Sequence, residues 1–316
     1  MLHLRLVVPP GRLDDVLGMV TADRGATNLV VLPGAVREPP GDLVEADVAR
    51  EGAHRILADL RDLGIAEDGS IAAEQTDLVM SAGAERAERL APGAPADALV
   101  WEEVQARTSE ESELTWSYLT FMVVATLIAG IGVLLDQTVL VIGAMVVGPE
   151  FGAVAGLCVA LVRRRAELAL RSAKALLVGF PAAIAATVLA TLLGRATGLV
   201  EDGALDTAHP LTEFVSKPDA FSFIVAFLAG VVGMLSLTSS KSGALIGVLI
   251  SVTTIPAAGY VGVALALGER GGAGGAALQL LINLSALVVA GVLTLWVQSA
   301  LWRRLAPRRP VRGRLG

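Results

Sequence analysis

The sequence predicts a multi-pass α-helical membrane domain preceded by a small α+β domain. Three observations predict it. Residues 117–302 hold about six long apolar runs. Residues 1–80 instead alternate short strand-like and helix-like patterns. Charge divides the same way: residues 1–116 carry 10 Arg and no Lys against 22 Asp/Glu, whereas residues 117–316 carry 15 basic against 9 acidic residues. A mean hydropathy of +0.65 therefore averages an acidic soluble half and an apolar, basic half. The start, MLHLRLVVPPGRLDD, lacks an apolar core behind a basic region, so no cleaved signal is expected.

Residues 2–8 (LHLRLVV) alternate as a strand does, with Leu2, Leu4, Leu6 and Val8 on one face, and Pro9-Pro10-Gly11 ends it. Leu13, Val16, Leu17 and Val20 follow at helical spacing. Asn28–Leu32 predicts a short strand closed by Pro33-Gly34, and residues 43–49 alternate again. Ile56, Leu57, Leu60 and Leu63 define an amphipathic helix over 51–63, stopped by Gly64, and 70–79 supplies a last strand. The order strand, helix, strand, strand, helix, strand is the ferredoxin-like pattern over 1–80. It holds no phosphate-binding loop and no metal-ligand cluster. His3 and His54 stand apart from other ligand-type residues, and His54 reads as solvent-exposed. A regulatory or oligomerisation role suits this domain.

Residues 81–97 read as an Ala/Pro/Gly-rich linker and 98–116 as a juxtamembrane helix, giving a connecting segment over 81–116. Trp101 and Trp116 suit a membrane interface, but the acidic face between them favours packing on protein.

A span needs about 20 apolar residues. The candidates are 117–135, 138–162, 174–194, 221–240, 242–267 and 276–302, followed by a basic tail over 303–316. The 163–174 loop carries five basic residues and one acidic, the tail six basic and none acidic, and the 195–220 connection two basic and five acidic. Positive charge stays cytoplasmic, so six spans place both termini inside the cell and predict a protein of the inner (plasma) membrane.

The second span is interrupted by Gly148-Pro149-Glu150-Phe151-Gly152. Proline frees backbone groups that hydrocarbon cannot satisfy, and an ionised Glu in lipid costs at least ~3 kcal/mol. The fifth span carries Pro256-Ala257-Ala258-Gly259, a second P-x-x-G, and Gly130 and Gly230 sit in similar settings of the first and fourth spans. Two units of three spans must run in opposite directions, the inverted-repeat plan whose broken helices meet near the midplane. Glu150, Gly148, Pro149, Gly152, Thr253, Thr254, Pro256 and Gly259 are the candidate solute- or ion-binding residues. Glu150 is suited to take a proton or to hold a cation with freed carbonyls. Thr253 and Thr254 can rebond carbonyls freed by Pro256.

Secondary candidates are Asp136, in the turn before the second span, where it can cap that span, and Ser240 with Lys241 between the fourth and fifth spans. Gln279 and Asn283 lie one helical turn apart on the last span, marking an interior face or a subunit contact. The one cysteine, Cys158, lies within an apolar run and reads as a packing residue.

With these residues in view, 117–300 resembles the domain-of-unknown-function 389 family. The resemblance rests on IGAMVVGPEFGAVAGLCVAL (142–161), the basic segment with Arg171-Ser172, KPDAFSFIVAFLAGVVG (217–233) and ALIGVLISVTTIPAAG (244–259). Family members commonly have Ser-Pro followed by apolar residues and a Gly-Pro at 148–152, and paired prolines where this chain has only Pro256. Glu150 is thus a departure and is not carried over as a family site. The resemblance implies a bacterial or archaeal integral membrane protein and supplies no substrate.

The residues themselves point first to a secondary transporter or permease for a small solute or ion. A non-transporting scaffold or ligand sensor working through the N-terminal domain is the alternative, and an oligomeric channel the third. No enzyme is expected: there is no metal-ligand cluster, no intramembrane aspartate pair and no Ser/His pair at one depth, His209 lying in the outer loop. No cofactor, metal or nucleic-acid partner is expected, and the Gly-rich spans favour a homo-oligomer in the lipid bilayer.

Overall fold

The structure is a computed structural model. It describes residues 1–76, 78–90, 100–201, 203–205, 211–212, 215–216, 219–239 and 253–305, with side chains described to residue 301. The chain forms two compact units, one built on Met1–Glu103 and the other on Val104–Leu237 with residues up to Val297.

The first unit runs β1 (Leu2–Val8), α1 (Leu13–Ala22), β2 (Ala26–Arg37), β3 (Pro40–Val48), α2 (Arg50–Asp62), the single turn α3 (Ile65–Asp68), β4 (Ser70–Gln75) and α4 (Ala82–Leu90). The sheet order is β2-β3-β1-β4 and every neighbouring pair is antiparallel. Leu2, Leu4, Leu6 and Val8 of β1 join Val44, Ala46 and Val48 of β3, and Val16, Val20, Ile56, Leu57 and Leu60 of the helices close the core over them. This alternation puts one face of each central strand against the helices.

Three expectations need correction. Pro33-Gly34 does not close β2, which extends to Arg37. The register against β3 shifts between Leu32 and Val36, and this irregularity absorbs the proline and the left-handed Gly34 (φ 63°) within an edge strand. The 81–97 segment is partly helical: the Ser81 hydroxyl accepts from the backbone N–H of Gly83 and Ala84 and starts α4 in the helix-favouring run AGAERAERL. Finally, His54 is not isolated. Its Nδ1 lies 2.9 Å from Glu102 Oε2, and His3 Nδ1 lies 2.8 Å from Asp47 Oδ1. Burial opposes the charge of Glu102, but the pull of His54 and the Arg61 hydrogen bond outweigh it and hold its carboxyl below the ordinary range. Burial pushes the Glu51 carboxyl up.

The juxtamembrane helix is shorter than expected. α5 spans Trp101–Glu111, with Trp101 buried and Trp116 exposed. Thr115 then caps α6 (Trp116–Leu134) by accepting from the Tyr118 N–H at 3.1 Å. There follow α7 (Thr138–Val147), α8 (Glu150–Arg163), α9 (Ala166–Ala196), α10 (Ala220–Thr238), α11 (Thr254–Leu267) and α12 (Arg270–Leu305). Four of these, α6, α9, α10 and α12, are long and apolar enough to cross a membrane alone. α7 and α8 make a fifth when taken together, bent by 49° at Gly148-Pro149. Of the 242–267 candidate the described residues hold α11, whose 14 residues fall short of a crossing.

Helix bounds recur at a constant interval. α10 begins and ends 104 residues after α6, α11 begins and ends 104 residues after α8, and α12 begins 104 residues after α9. Arg164 and Gly268, also 104 apart, both take left-handed φ (56° and 84°) and end α8 and α11. The closing bonds match: Arg165 N–H to Ala160 O at 2.9 Å, and Glu269 N–H to Ala264 O at 2.8 Å. The bounds follow neither the Gly130/Gly230 spacing nor the spacing of the two P-x-x-G motifs. Caps and breaks end helices, whereas those glycines answer to local packing.

Candidate functional site

Two helix starts carry the site. Pro149 sits at the N-cap of α8 and Glu150 is its first residue. Thr253 sits at the N-cap of α11, Thr254 is first and Pro256 third. Proline is accommodated in a first turn, because the N–H it lacks has no intrahelical acceptor there. The structure joins the two starts: Thr254 Oγ1 donates to Glu150 Oε1 at 2.6 Å, with Thr254 fully buried and Glu150 5% exposed. A helix N-terminus carries a partial positive charge, which favours an acidic group at the first residue of α8.

Glu150 Oε2 has no hydrogen-bond partner among the described residues. It packs on Gly148, where a Cβ would collide with Oε2 and stand 2.6 Å from Ile255 Cγ1. Gly148 therefore admits the carboxylate and the α11 start to the same break. Gly259, one turn beyond Pro256, lets α11 close on α6: a Cβ there would lie 2.9 Å from Ala129 Cβ, Gly130 N and Thr126 O. Gly152 packs in the same way on Glu111.

Gln279 and Asn283 share a buried face of α12 and reach the head of α11. Asn283 Nδ2 donates to Thr253 Oγ1 at 2.8 Å, and Gln279 Nε2 lies 3.5 Å from the same hydroxyl and 3.4 Å from Asn283 Oδ1. Thr253 thus serves as an anchor for side chains of α12. Glu150, Gly148, Thr254, Thr253 and the amide pair are joined by these contacts, with Pro149 and Pro256 in the same two first turns, whereas Gly152 packs on Glu111 and Gly259 on α6.

Asp136 belongs elsewhere. It does not cap α7, whose N-cap Gln137 makes no side-chain bond. Instead it accepts from Leu211 N–H at 3.3 Å and Thr212 Oγ1 at 2.9 Å, tying the α6–α7 turn to the 211–212 segment. Ser240, Lys241 and His209 lie outside the described residues. Cys158 is buried, packed against Gly291.

Sequence reasoning missed Tyr118, a buried residue whose hydroxyl has no partner among the described residues and which stands within electrostatic reach of Glu150. Its signal was the T-W-S-Y cap at the start of the first span. Among the described residues no group of three or more His, Cys, Asp or Glu is placed to hold a metal ion.

The chain is similar to an uncharacterised protein of Methanocaldococcus jannaschii, 26% identical over 194 residues, which cover 61% of this chain and 58% of that protein. No solved structure matches it. Residues 145–289 match the family model described as Domain of unknown function (DUF389), and the match includes the broken span, both helix starts and the Gln279–Asn283 pair.

Proposed function

We propose that this chain is a secondary transporter or permease for a small solute or ion, with Glu150 as its coupling group. The observation that carries the reading is the 2.6 Å hydrogen bond between the first residues of two half-helices 104 positions apart. In this reading six spans form two inverted repeats, α6–α9 and α10–α12, whose broken spans meet at the centre. A reciprocal contact supports it. Gly262 on α11 packs on Thr187 of α9, and Cys158 on α8 packs on Gly291 of α12. Cys158 and Gly262, and likewise Thr187 and Gly291, are 104 apart, so the two halves exchange roles as a two-fold axis requires. In this reading both termini lie in the cytoplasm and the protein in the inner membrane, as the loop charges favour. No catalytic step belongs to this reading.

The test is proton and ion flux in proteoliposomes, wild type against Glu150→Gln, after size-exclusion shows both intact. Flux lost in the variant supports the reading. Flux unchanged removes Glu150 from the mechanism, and no flux in either under any gradient favours the alternative, a scaffold or sensor.

One observation favours that alternative. The edge strand β2 leaves Leu29, Val30 and Leu32 exposed, a surface suited to pairing with a second copy. Homo-oligomerisation through it fits either function.

A further inference from the structure

Two cavities flank the Glu150–Thr254 contact. One, of about 320 Å³, is lined by Thr115 and Tyr118 at the start of α6, by Pro149 at the head of α8, and by Glu110, Glu111 and Glu113. The other, of about 410 Å³, is lined by Asp219 and Ser222 at the start of α10, by Thr253 at the head of α11, and by Thr138 and Asn283. Thr115 and Asp219, Tyr118 and Ser222, and Pro149 and Thr253 are each 104 apart. The caps do the same work: the Thr115 hydroxyl accepts from Tyr118 N–H at 3.1 Å and the Asp219 carboxylate from Ser222 N–H at 2.7 Å.

The cavities lie at opposite ends of α6. The first sits at its start. The second includes Thr138, which begins α7 just after α6 ends, and the 19 residues between set the ends roughly 28 Å apart. Neither cavity is lined by Glu150 or Thr254, but each is lined by the residue just before one of them, Pro149 in the first cavity and Thr253 in the second.

Charge names the occupant. Among the described residues, every charged residue lining either cavity is acidic. Arg107 pairs with Glu111 at 3.3 Å, leaving Glu110 and Glu113 without a basic partner among the ion pairs of the described residues. The C-terminal end of α5 adds its partial negative charge at the same place. Tyr118, whose buried hydroxyl has no partner among the described residues, lines this cavity, and the unpartnered Oε2 of Glu150 packs on Gly148, which lines it too.

We propose that the two cavities are the access vestibules of one cation path, opening on opposite membrane faces and closed between them by the Glu150–Thr254 contact. This deepens the transporter reading and rests on it, but its test does not need transport. In a Cys158→Ala background, Thr115→Cys and Ser222→Cys are each exposed to a membrane-impermeant thiol reagent from one face at a time, in the intact protein in vesicles of known orientation. The expected result is labelling of the two variants from opposite faces only. Should Thr115→Cys fail to fold, Glu113→Cys reports on the same cavity. At that cavity a cationic methanethiosulfonate is expected to react about tenfold faster than an anionic one, the ratio falling toward one in Glu110→Gln/Glu113→Gln, because a cleft lined by one sign of charge concentrates its counter-ions. Labelling from the same face, no labelling of either variant, or equal rates for the two reagents would overturn the proposal. Opposite-face labelling without flux would leave the vestibules standing and remove the transporter reading.

Discussion

Replacing Thr254 by Val removes one hydroxyl and keeps the side-chain shape. Glu150 Oε1 then loses its 2.6 Å donor, and Oε2 has none among the described residues to share. Side-chain hydrogen bonds between membrane helices average about 0.6 kcal/mol in double-mutant cycles. A bond to an ionised acceptor is roughly twice as strong as a neutral one. A coupling of about 0.6–1.2 kcal/mol between positions 150 and 254 follows, the upper end for an ionised Glu150. The single substitution costs more, about 1–3 kcal/mol, because it also strands a buried acceptor. The assay is reversible unfolding in mixed micelles of wild type, Thr254→Val, Glu150→Ala and the double variant. Glu150→Gln serves as an internal control, since its amide oxygen still accepts from Thr254 and retains part of the coupling. A coupling below about 0.3 kcal/mol, the range of independent sites, would refute the claim that the two half-helices meet through these residues.

Gly148→Ala drives a methyl into Glu150 Oε2 and Ile255, so a loss of about 1–3 kcal/mol is expected in the same unfolding assay, together with loss of any flux. Gly259→Ala meets Ala129, Gly130 and Thr126 at 2.9 Å and is expected to cost a similar amount by opening the α6–α11 contact, again read by unfolding. The depressed carboxyl of Glu102 contributes stability that is complete above its unfolded value, about 4.3, and that is lost as pH falls through its lower folded value. Protection of the β1 and β3 amides in the intact protein, taken relative to intrinsic exchange at each pH, should therefore fall with acid in wild type and less so in Glu102→Gln. Glu51 has the opposite sign: its raised carboxyl costs stability as pH rises above the ordinary carboxylate range, so Glu51→Gln should slow exchange at pH 7 and change little under acid conditions.

The broken second span was legible because Gly-Pro-Glu inside an apolar run violates what hydrocarbon tolerates, and the bend at Gly148-Pro149 stands there. The strands β1 and β3 were legible through alternation, which records which face meets the core. The ends of β2 and α4 were not. A proline at a sheet edge reads like a terminator until the partner strand shows a register shift, and an Ala/Glu/Arg run beside Gly and Pro reads like a linker until Ser81 caps it. The role of Asp136 was misread for a related reason, since a turn residue caps its neighbour only if no better donor reaches it, and Thr212 does.

By itself the sequence determined the classes of environment: an acidic α+β half, an apolar half, and the position of the carboxylate that cannot face lipid. These follow from composition and period, which are local properties. Only the tertiary structure decided partners. Glu150 meets Thr254 across 104 residues, His54 meets Glu102 across 48, and Thr253 meets Asn283 across 30. Side-chain hydrogen bonds at those separations depend on how helices close on one another, and that closure is set by glycines whose neighbours lie on other helices. Such contacts leave no period in the chain, so they become visible only when the packed helices bring them within 3 Å.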